Sequence, residues 1–144
     1  MSMSAVSILL VEDDLVDVMA VKRALRDLKI ANPLFEARDG VEALELLRGT
    51  EGRAPIPRPY LILLDLNMPR MGGIELLKEL RQDPALHASV VFVMTTSDAE
   101  EDRVDAYSLN VAGYVLKHSP AHSFLDAISM LEHYWRIVEL PNQP

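Results

Sequence analysis

The most informative stretch of this 144-residue chain is LILLDLNMPRMGG, residues 61–73. It continues an uninterrupted apolar run that begins at position 60, as expected of a strand buried on both faces of a parallel sheet. Asp65 follows this run directly, and Asn67 stands two residues further on. In open α/β sheets, ligands bind beyond the carboxyl ends of the strands. The stretch therefore predicts both a central strand and a functional loop.

Working outward, short apolar runs alternate with stretches of helical periodicity along the whole chain. The predicted strands are 6–11, 34–37, 60–64, 90–94 and 112–116. The predicted helices are about 14–29, 40–48, 74–82, 98–110 and a last helix that ends near 138. A proline stop at Asp83-Pro84 and an N-cap pair at Ser119-Pro120 bound two of them. This alternation predicts a doubly wound parallel α/β sheet.

Length and composition restrict the class of protein. We expect one domain over 1–144, with its core in 6–138, a short tail at 139–144 and a surface loop at 49–59. The formal charge of −8 argues against a nucleic-acid partner, because duplex binding relies on basic patches. No apolar run is long enough for a membrane span, and residues 1–7 do not resemble a signal peptide. With no cysteine in the sequence, a cytoplasmic location is expected.

The residues that follow the predicted strands have complementary chemistry. They are Glu12, Asp13 and Asp14 after the first strand, Asp65 and Asn67 after the third, Thr95 after the fourth and Lys117 after the fifth. Carboxylates are hard oxygen ligands that suit Mg²⁺, and a carboxylate can also attack phosphorus to give an aspartyl phosphate. A hydroxyl and an ammonium can neutralise the charge on phosphoryl oxygens. The set predicts a phosphoryl-transfer site.

Each of these residues taken alone has a simpler interpretation. A strand-end aspartate is commonly an N-cap, one of the residues 95–97 is expected to cap the next helix, and a single lysine is commonly solvated. The acids at 12–14 with Asp17 could suggest a calcium loop, but its glycine and late glutamate are missing. The coincidence of all these residue types at the ends of the appropriate strands favours the functional interpretation.

At these residues the sequence resembles the receiver domains of two-component response regulators. The matching pieces are ILLVEDD (8–14), LILLDLNMPRMGG (61–73), VFVMTTS (91–97) and GYVLK (113–117). The resemblance implies a flavodoxin-like fold with strand order 2-1-3-4-5. It implies the following roles: Asp65 as phosphoacceptor, Glu12, Asp13, Asp65 and the Asn67 carbonyl as Mg²⁺ ligands, Thr95 as switch hydroxyl, Lys117 as phosphate clamp and Tyr114 as aromatic switch.

One departure from the family concerns the residue after Lys117. The family commonly has a cis Lys-Pro bond there, whereas this chain has Lys117-His118. A cis bond before a residue other than proline costs about 2.5–4 kcal/mol, so the loop geometry is left open. TTSDAEED (95–102), KHSP (117–120) and HYWRIVELP (133–141) resemble the single-domain regulators of bacterial phytochromes. That narrower resemblance implies a light-regulated histidine kinase as partner and a homodimer formed through the last helix.

Two other functions are compatible with part of this pattern. A phosphatase of the haloacid dehalogenase type also uses a strand-end aspartate, but it normally carries a second aspartate where this chain has Asn67. A degenerate receiver that only binds partners would typically lack one of the acids or the lysine. We therefore expect a phosphoacceptor and not a turnover enzyme. The cluster at Tyr134, Trp135 and Ile137 cannot all face one core, so we expect part of it to be exposed at a dimer interface.

Overall fold

A computed structural model describes residues 5–144, and these residues form a five-stranded parallel sheet flanked by five helices. The strands are β1 (Ser7–Val11), β2 (Leu34–Ala37), β3 (Tyr60–Leu64), β4 (Val90–Thr95) and β5 (Gly113–Leu116). Their order in the sheet is β2-β1-β3-β4-β5. The predicted fold class and strand order are confirmed. Residues 1–4, part of the segment judged unlike a signal peptide, lie outside the described residues.

The helices alternate with the strands. They are α1 (Leu15–Asp27), α2 (Gly40–Arg48), α3 (Gly73–Gln82), α4 (Glu100–Ser108) and α5 (Phe124–Ile137). The stop of α3 before Asp83-Pro84 agrees with the prediction, because the residue before a proline disfavours helical geometry. In the described part of the chain, no helix is both long and apolar enough to cross a membrane.

The two faces of the sheet carry separate apolar layers. Alternate residues of a strand point to opposite faces, so Leu9 and Ile62 belong to one layer while Ile8 and Leu61 belong to the other. Helices α2, α3 and α4 contribute to the first layer, and α1 and α5 contribute to the second. β1 and β3 are buried along their entire length. The carboxyl ends of these central strands are therefore held rigidly between two packed layers.

The start of α5 differs from the prediction. The helix begins at Phe124 with Ser123 as N-cap, and Ser123 and Asp126 form a reciprocal capping box. Ser119 is instead part of a turn, in which it pairs with His122 and its Oγ accepts a hydrogen bond from the amide of Ala121. The predicted cap at Ser119-Pro120 is therefore wrong by one turn.

Helix α4 has the least apolar attachment to the sheet. Ala106 is its buried residue, and its first turn carries three acids. The N-cap is Ala99, so the predicted cap within residues 95–97 is wrong, although the Ser97 Oγ does accept a long bond from the Ala99 amide, 3.4 Å. Beyond the helix end, the Arg81 guanidinium of α3 donates to the carbonyls of Leu109 (2.7 Å) and Asn110 (3.0 Å). It also donates to the carbonyls of His87 and Ser89, just before β4.

Candidate functional site

The register of the sheet brings the predicted site residues together. Val11 of β1 is paired with Leu64 of β3, so Glu12 and Asp65 leave neighbouring strands at the same level. The Asp65 amide donates to the Val11 carbonyl at 3.0 Å, and the Lys117 amide donates to the Thr95 carbonyl at 2.8 Å. The local reason is that Glu12, Asp65 and Lys117 are each the first residue after a strand, while Thr95 is the last residue of β4.

Three carboxylates meet at this edge. One ligand oxygen from each of Glu12, Asp13 and Asp65 lies within 4.8 Å of the other two. Glu12 and Asp65 are buried, whereas Asp13 is exposed. Burial raises the pKa of Glu12 to about 7, because a charged carboxylate is poorly solvated there. Among the described residues, the buried Oδ1 of Asp65 has no hydrogen-bond partner. An orphaned oxygen inside an acidic group fits a divalent cation, because such an ion would satisfy the oxygen and offset the repulsion.

The ammonium of Lys117 lies inside the same group and is almost fully buried. It donates to Glu12 Oε2 at 2.5 Å and to Asp17 Oδ2 at 2.7 Å, and it lies 3.6 Å from Asp65 Oδ2. Burial alone would lower the pKa of Lys117, but its hydrogen bonds to Asp17 and Glu12 outweigh burial and raise that pKa. The lysine is therefore a fixed positive charge beside Asp65. Its peptide bond to His118 is trans.

Thr95 and Tyr114 lie on the neighbouring strands β4 and β5. Thr95 is completely buried, and its Oγ1 accepts a hydrogen bond from the Ser97 amide at 3.3 Å. The Tyr114 hydroxyl donates to the Ser97 carbonyl at 2.9 Å, so both side chains contact the same residue of the β4–α4 loop. Burial raises the pKa of Tyr114, which keeps the phenol neutral and able to donate. The Arg103 guanidinium lies 5.4 Å from the centre of the Tyr114 ring.

The loop after β3 is fixed to the start of α2. Arg70 donates to the buried carboxylate of Asp39 at 2.6 Å, and the Gly40 amide donates to the Met71 carbonyl at 2.9 Å. Arg70 has a left-handed φ of 60°, which is uncommon outside glycine. Asn67, whose carbonyl is the predicted fourth protein ligand, lies in this loop with its side chain exposed. Its role as a ligand stays a prediction.

Two residues of the site were missed from the sequence. Asp17 lies in the first turn of α1, one turn beyond the residues that follow β1 directly, and the sequence suggests a role for it only as part of a calcium loop. Asp39 follows the weak strand β2, where the sequence offered little chemistry. The signal that could have found Asp39 is its position as N-cap before the helical pattern of α2.

Comparisons with known proteins agree with this geometry. The family described as response regulator receiver domain matches residues 8–129. The response regulator Rcp1 of Synechocystis sp. is 38% identical over 135 residues, which are 93% of this chain and 92% of that protein. An Mn²⁺-bound form of Rcp1 has been solved and superimposes with a TM-score of 0.82 at 38% identity, covering 94% of this chain and 98% of the other.

Two further similar structures are response regulators of phytochromes. The phosphorylated cyanobacterial phytochrome response regulator RcpA superimposes with a TM-score of 0.85 at 34% identity, covering 96% of this chain and 99% of the other. The bacteriophytochrome response regulator AtBRR gives a TM-score of 0.76 at 32% identity, covering 97% and 99%. The sequence and the fold are thus similar to those of phytochrome response regulators.

Proposed function

The chain belongs to the response regulator receiver domain family, and from this membership we propose that it accepts a phosphoryl group on Asp65 from a histidine kinase. The resemblance to phytochrome regulators is confirmed, and it supports a light-regulated kinase of the phytochrome type as the donor. The observation that carries the proposal is the buried Asp65, with one orphaned carboxylate oxygen and a lysine ammonium 3.6 Å from the other.

In the proposed step, a carboxylate oxygen of Asp65 attacks the phosphorus of a phosphohistidine. An O–P bond forms, the P–N bond breaks, and its electron pair returns to the imidazole nitrogen of the donor. Lys117 supplies a positive charge for the phosphoryl oxygens, and the Thr95 hydroxyl supplies a hydrogen bond. Because Lys117 is buried and held by two carboxylates, its charge needs little reorganisation.

We propose that Mg²⁺ is held by Glu12, Asp13, Asp65 and the carbonyl of Asn67. The orphaned oxygen of Asp65 and the Mn²⁺-bound form of the related Rcp1 support a divalent ion at this position. When bound, the ion neutralises part of the charge shared by the carboxylates and the phosphoryl group.

The proposed output is a change of conformation that runs from Thr95 to Tyr114. Both residues contact Ser97, so a movement of Thr95 toward phosphoryl oxygens would alter the loop that also holds the Tyr114 hydroxyl. Helix α4 begins two residues after Asp98 and has little apolar attachment, so it can follow this loop at low cost. The surface of α4, β5 and α5 would then present the signal.

We further propose a single receiver domain over 1–144 that acts in the cytoplasm, without a nucleic-acid partner and without turnover chemistry of its own. The net charge of −8 supports the exclusion of nucleic acid. A homodimer through α5 is supported by exposed apolar side chains on and after that helix. Met130 is 42% exposed and Ile137 is 79% exposed, and residues seven apart lie on nearly the same face.

The test of the phosphoacceptor is labelling by acetyl phosphate or by candidate kinases in the presence of Mg²⁺. We expect one phosphoryl group per chain in the wild type and none in Asp65→Asn, with the fold unchanged by circular dichroism. Asp14→Asn is the matched control, because it also removes one acid near the site while retaining a good N-cap. Label that persists in Asp65→Asn would place the acceptor elsewhere, and catalytic hydrolysis of a generic phosphate ester would indicate an enzyme.

A further inference from the structure

The contact between Asp17 and Lys117 joins the first turn of α1 to the end of β5 across 100 residues of sequence. The Lys117 side chain is 4% exposed and the Asp17 side chain is 21% exposed, so the pair lies at the boundary of the buried site. The phosphoryl-transfer chemistry described above does not use Asp17, and the acidic group that could hold a metal does not include it.

The three N–H donors of the Lys117 ammonium do not have equivalent surroundings. An ammonium carries three N–H groups. Two of them serve Glu12 Oε2 and Asp17 Oδ2, and the next carboxylate oxygen is Asp65 Oδ2 at 3.6 Å, which is beyond hydrogen-bond distance. The free space between these side chains is about 10 Å³, which is at the lower limit for one water molecule. With two donors fixed, the remaining donor has Asp65 as its nearest carboxylate.

Glu12 and Asp17 are not equivalent partners of Lys117. Glu12 is shared between the ammonium and the carboxylate group proposed to hold Mg²⁺, and its other oxygen, Oε1, accepts the Asp14 amide at 3.1 Å. Asp17 is not part of the carboxylate group proposed to hold Mg²⁺. It does not cap the helix either, because the cap is Asp14, whose side chain accepts a hydrogen bond from the Val16 amide. Asp17 is therefore the carboxylate dedicated to Lys117.

We propose that Asp17 is a positioning residue for phosphoryl transfer, which holds the Lys117 ammonium so that its free donor faces Asp65. The inference rests on the proposed phosphoacceptor function and deepens it. It gives Lys117 a fixed orientation that one shared partner, Glu12, does not provide. Loss of a partner that orients a functional group typically costs about ten- to a hundredfold.

A purely structural role for Asp17 makes a different prediction. An acid in the first turn stabilises a helix through its dipole, so Asp17→Asn would then lower stability without changing the site. A role through charge alone makes a third prediction. Removal of an acid near the site reduces its repulsion of an anionic phosphodonor and speeds labelling. Asp14→Asn removes an acid from the same helix end and reports this effect of charge.

The experiment compares the wild type, Asp17→Asn, Asp17→Glu and Asp14→Asn in the full chain. The first readout is the rate of labelling by acetyl phosphate with saturating Mg²⁺. The second is the Lys117 side-chain ammonium signal in ¹H–¹⁵N spectra of the metal-free protein, which is visible only when hydrogen bonds and burial slow its exchange. Melting temperatures report whether each variant folds.

We expect Asp17→Asn to be labelled at least about tenfold more slowly than the wild type and to lose the ammonium signal. Asp17→Glu restores a carboxylate on a longer stem and should recover part of both readouts, whereas Asp14→Asn should not be slowed and should keep the signal. If Asp17→Asn is labelled as fast as Asp14→Asn, or keeps the ammonium signal, the proposal is wrong. If the wild type itself is not labelled, the proposed function fails instead, and the ammonium signal still tests the contact.

Discussion

The hydroxyl of Tyr114 donates a hydrogen bond to the backbone carbonyl of Ser97, 2.9 Å away, and so ties β5 to the loop that follows β4. The same loop residue donates its amide to the hydroxyl of Thr95. Ser97 is thus contacted by both side chains of the proposed switch. The Tyr114 ring is also covered by Arg103, which is itself paired with Asp98 and Glu100.

Tyr114→Phe is expected to lower the free energy of unfolding by about 0.5–1.5 kcal/mol, the net value of one partly buried hydrogen bond. The amides of residues 96–99 should exchange faster, because the loop loses an anchor. Urea unfolding and hydrogen exchange measure the two effects. Tyr107→Phe on the exposed side of α4 is the control and should be neutral. Equal effects of the two substitutions would contradict a specific role for the Tyr114 hydroxyl.

Addition of Mg²⁺ is expected to raise the melting temperature, because binding to the folded state raises the free energy of unfolding by about 2.7 kcal/mol at a concentration one hundred times the Kd. Asp13→Ala should remove most of this increase, because one carboxylate of the group is lost. The metal-free variant should be no less stable than the wild type, since Asp13 is exposed and lies beside two other acids. Thermal scans with and without Mg²⁺ measure both quantities, with Asp14→Asn as control. An unchanged Mg²⁺ effect in Asp13→Ala would exclude Asp13 as a ligand.

The buried carboxylate of Asp39 should make stability depend on acid pH. Burial opposes its ionisation, but hydrogen bonds from Arg70 and from the Glu42 amide outweigh burial and lower the pKa of Asp39 below the usual value for an aspartate. A lowered folded-state pKa contributes stability above the unfolded value, and this contribution is lost as the pH falls through the folded value. Asp39→Asn keeps an N-cap but loses the ion pair with Arg70.

Urea unfolding of the wild type and Asp39→Asn from pH 7 to pH 3 tests this linkage. The wild type should be more stable near neutrality, and the difference should shrink as the pH falls below about 4. A difference that stays constant over the whole range would show that the ionisation of Asp39 does not contribute to stability.

The last helix contains one core anchor and one surface residue within three positions. Trp135 is 8% exposed and packs in the layer of α1 and α5, whereas Ile137 is 79% exposed. Trp135→Ala should cost about 3–5 kcal/mol, and Ile137→Lys should change the stability of the monomer by less than about 0.5 kcal/mol. If α5 forms the proposed dimer, Ile137→Lys should weaken it in sedimentation experiments. Met19→Lys, an exposed apolar residue of α1, is the control.

Gly73→Ala should destabilise the protein although alanine usually favours helices. A Cβ at this first residue of α3 would lie 2.7 Å from the Asp65 carbonyl and 2.8 Å from the Cα of Leu66, both backbone atoms. The backbone would have to move, at a cost of about 1–3 kcal/mol. Chemical denaturation measures this cost, and labelling should fall as well because Asp65 is displaced. A stability gain of the kind seen for exposed helical Gly→Ala substitutions would contradict the close contact.

The central strands and the strand-end residues could be predicted because their signals are local. The apolar run at 60–64 is stable only when it is buried, so it predicts a central strand. Asp65 then lies at the end of that strand because it is the next residue in the chain. The contact of Asp17 could not be predicted in this way, because its partner lies 100 residues away and the orientation of α1 depends on its packing against α5.

The errors at α5 have the same origin. Ser119 and Ser123 are both acceptable N-caps by local criteria, and the turn that pairs Ser119 with His122 decides between them. The expectation that part of the apolar cluster at the end of the helix is exposed is confirmed. In the structure Trp135 is the buried member and Ile137 the exposed one, and this division follows from the rotation of α5 that sets the ring of Tyr134 edge-on against Phe92.

The hydrogen bonds of Arg81 at the C-terminal end of α4 restrict how this helix can move. The guanidinium binds carbonyls of Leu109 and Asn110 and, at the same time, carbonyls just before β4, so this end of α4 is fixed to the sheet. The nine residues of the helix span about 13 Å. One end of α4 is held by Arg81, and only Ala106 is buried along the helix. The other end, near Ser97, is the end that can move. If phosphorylation of Asp65 displaces the loop at Ser97, as proposed, the displacement would become a rotation of the whole helix.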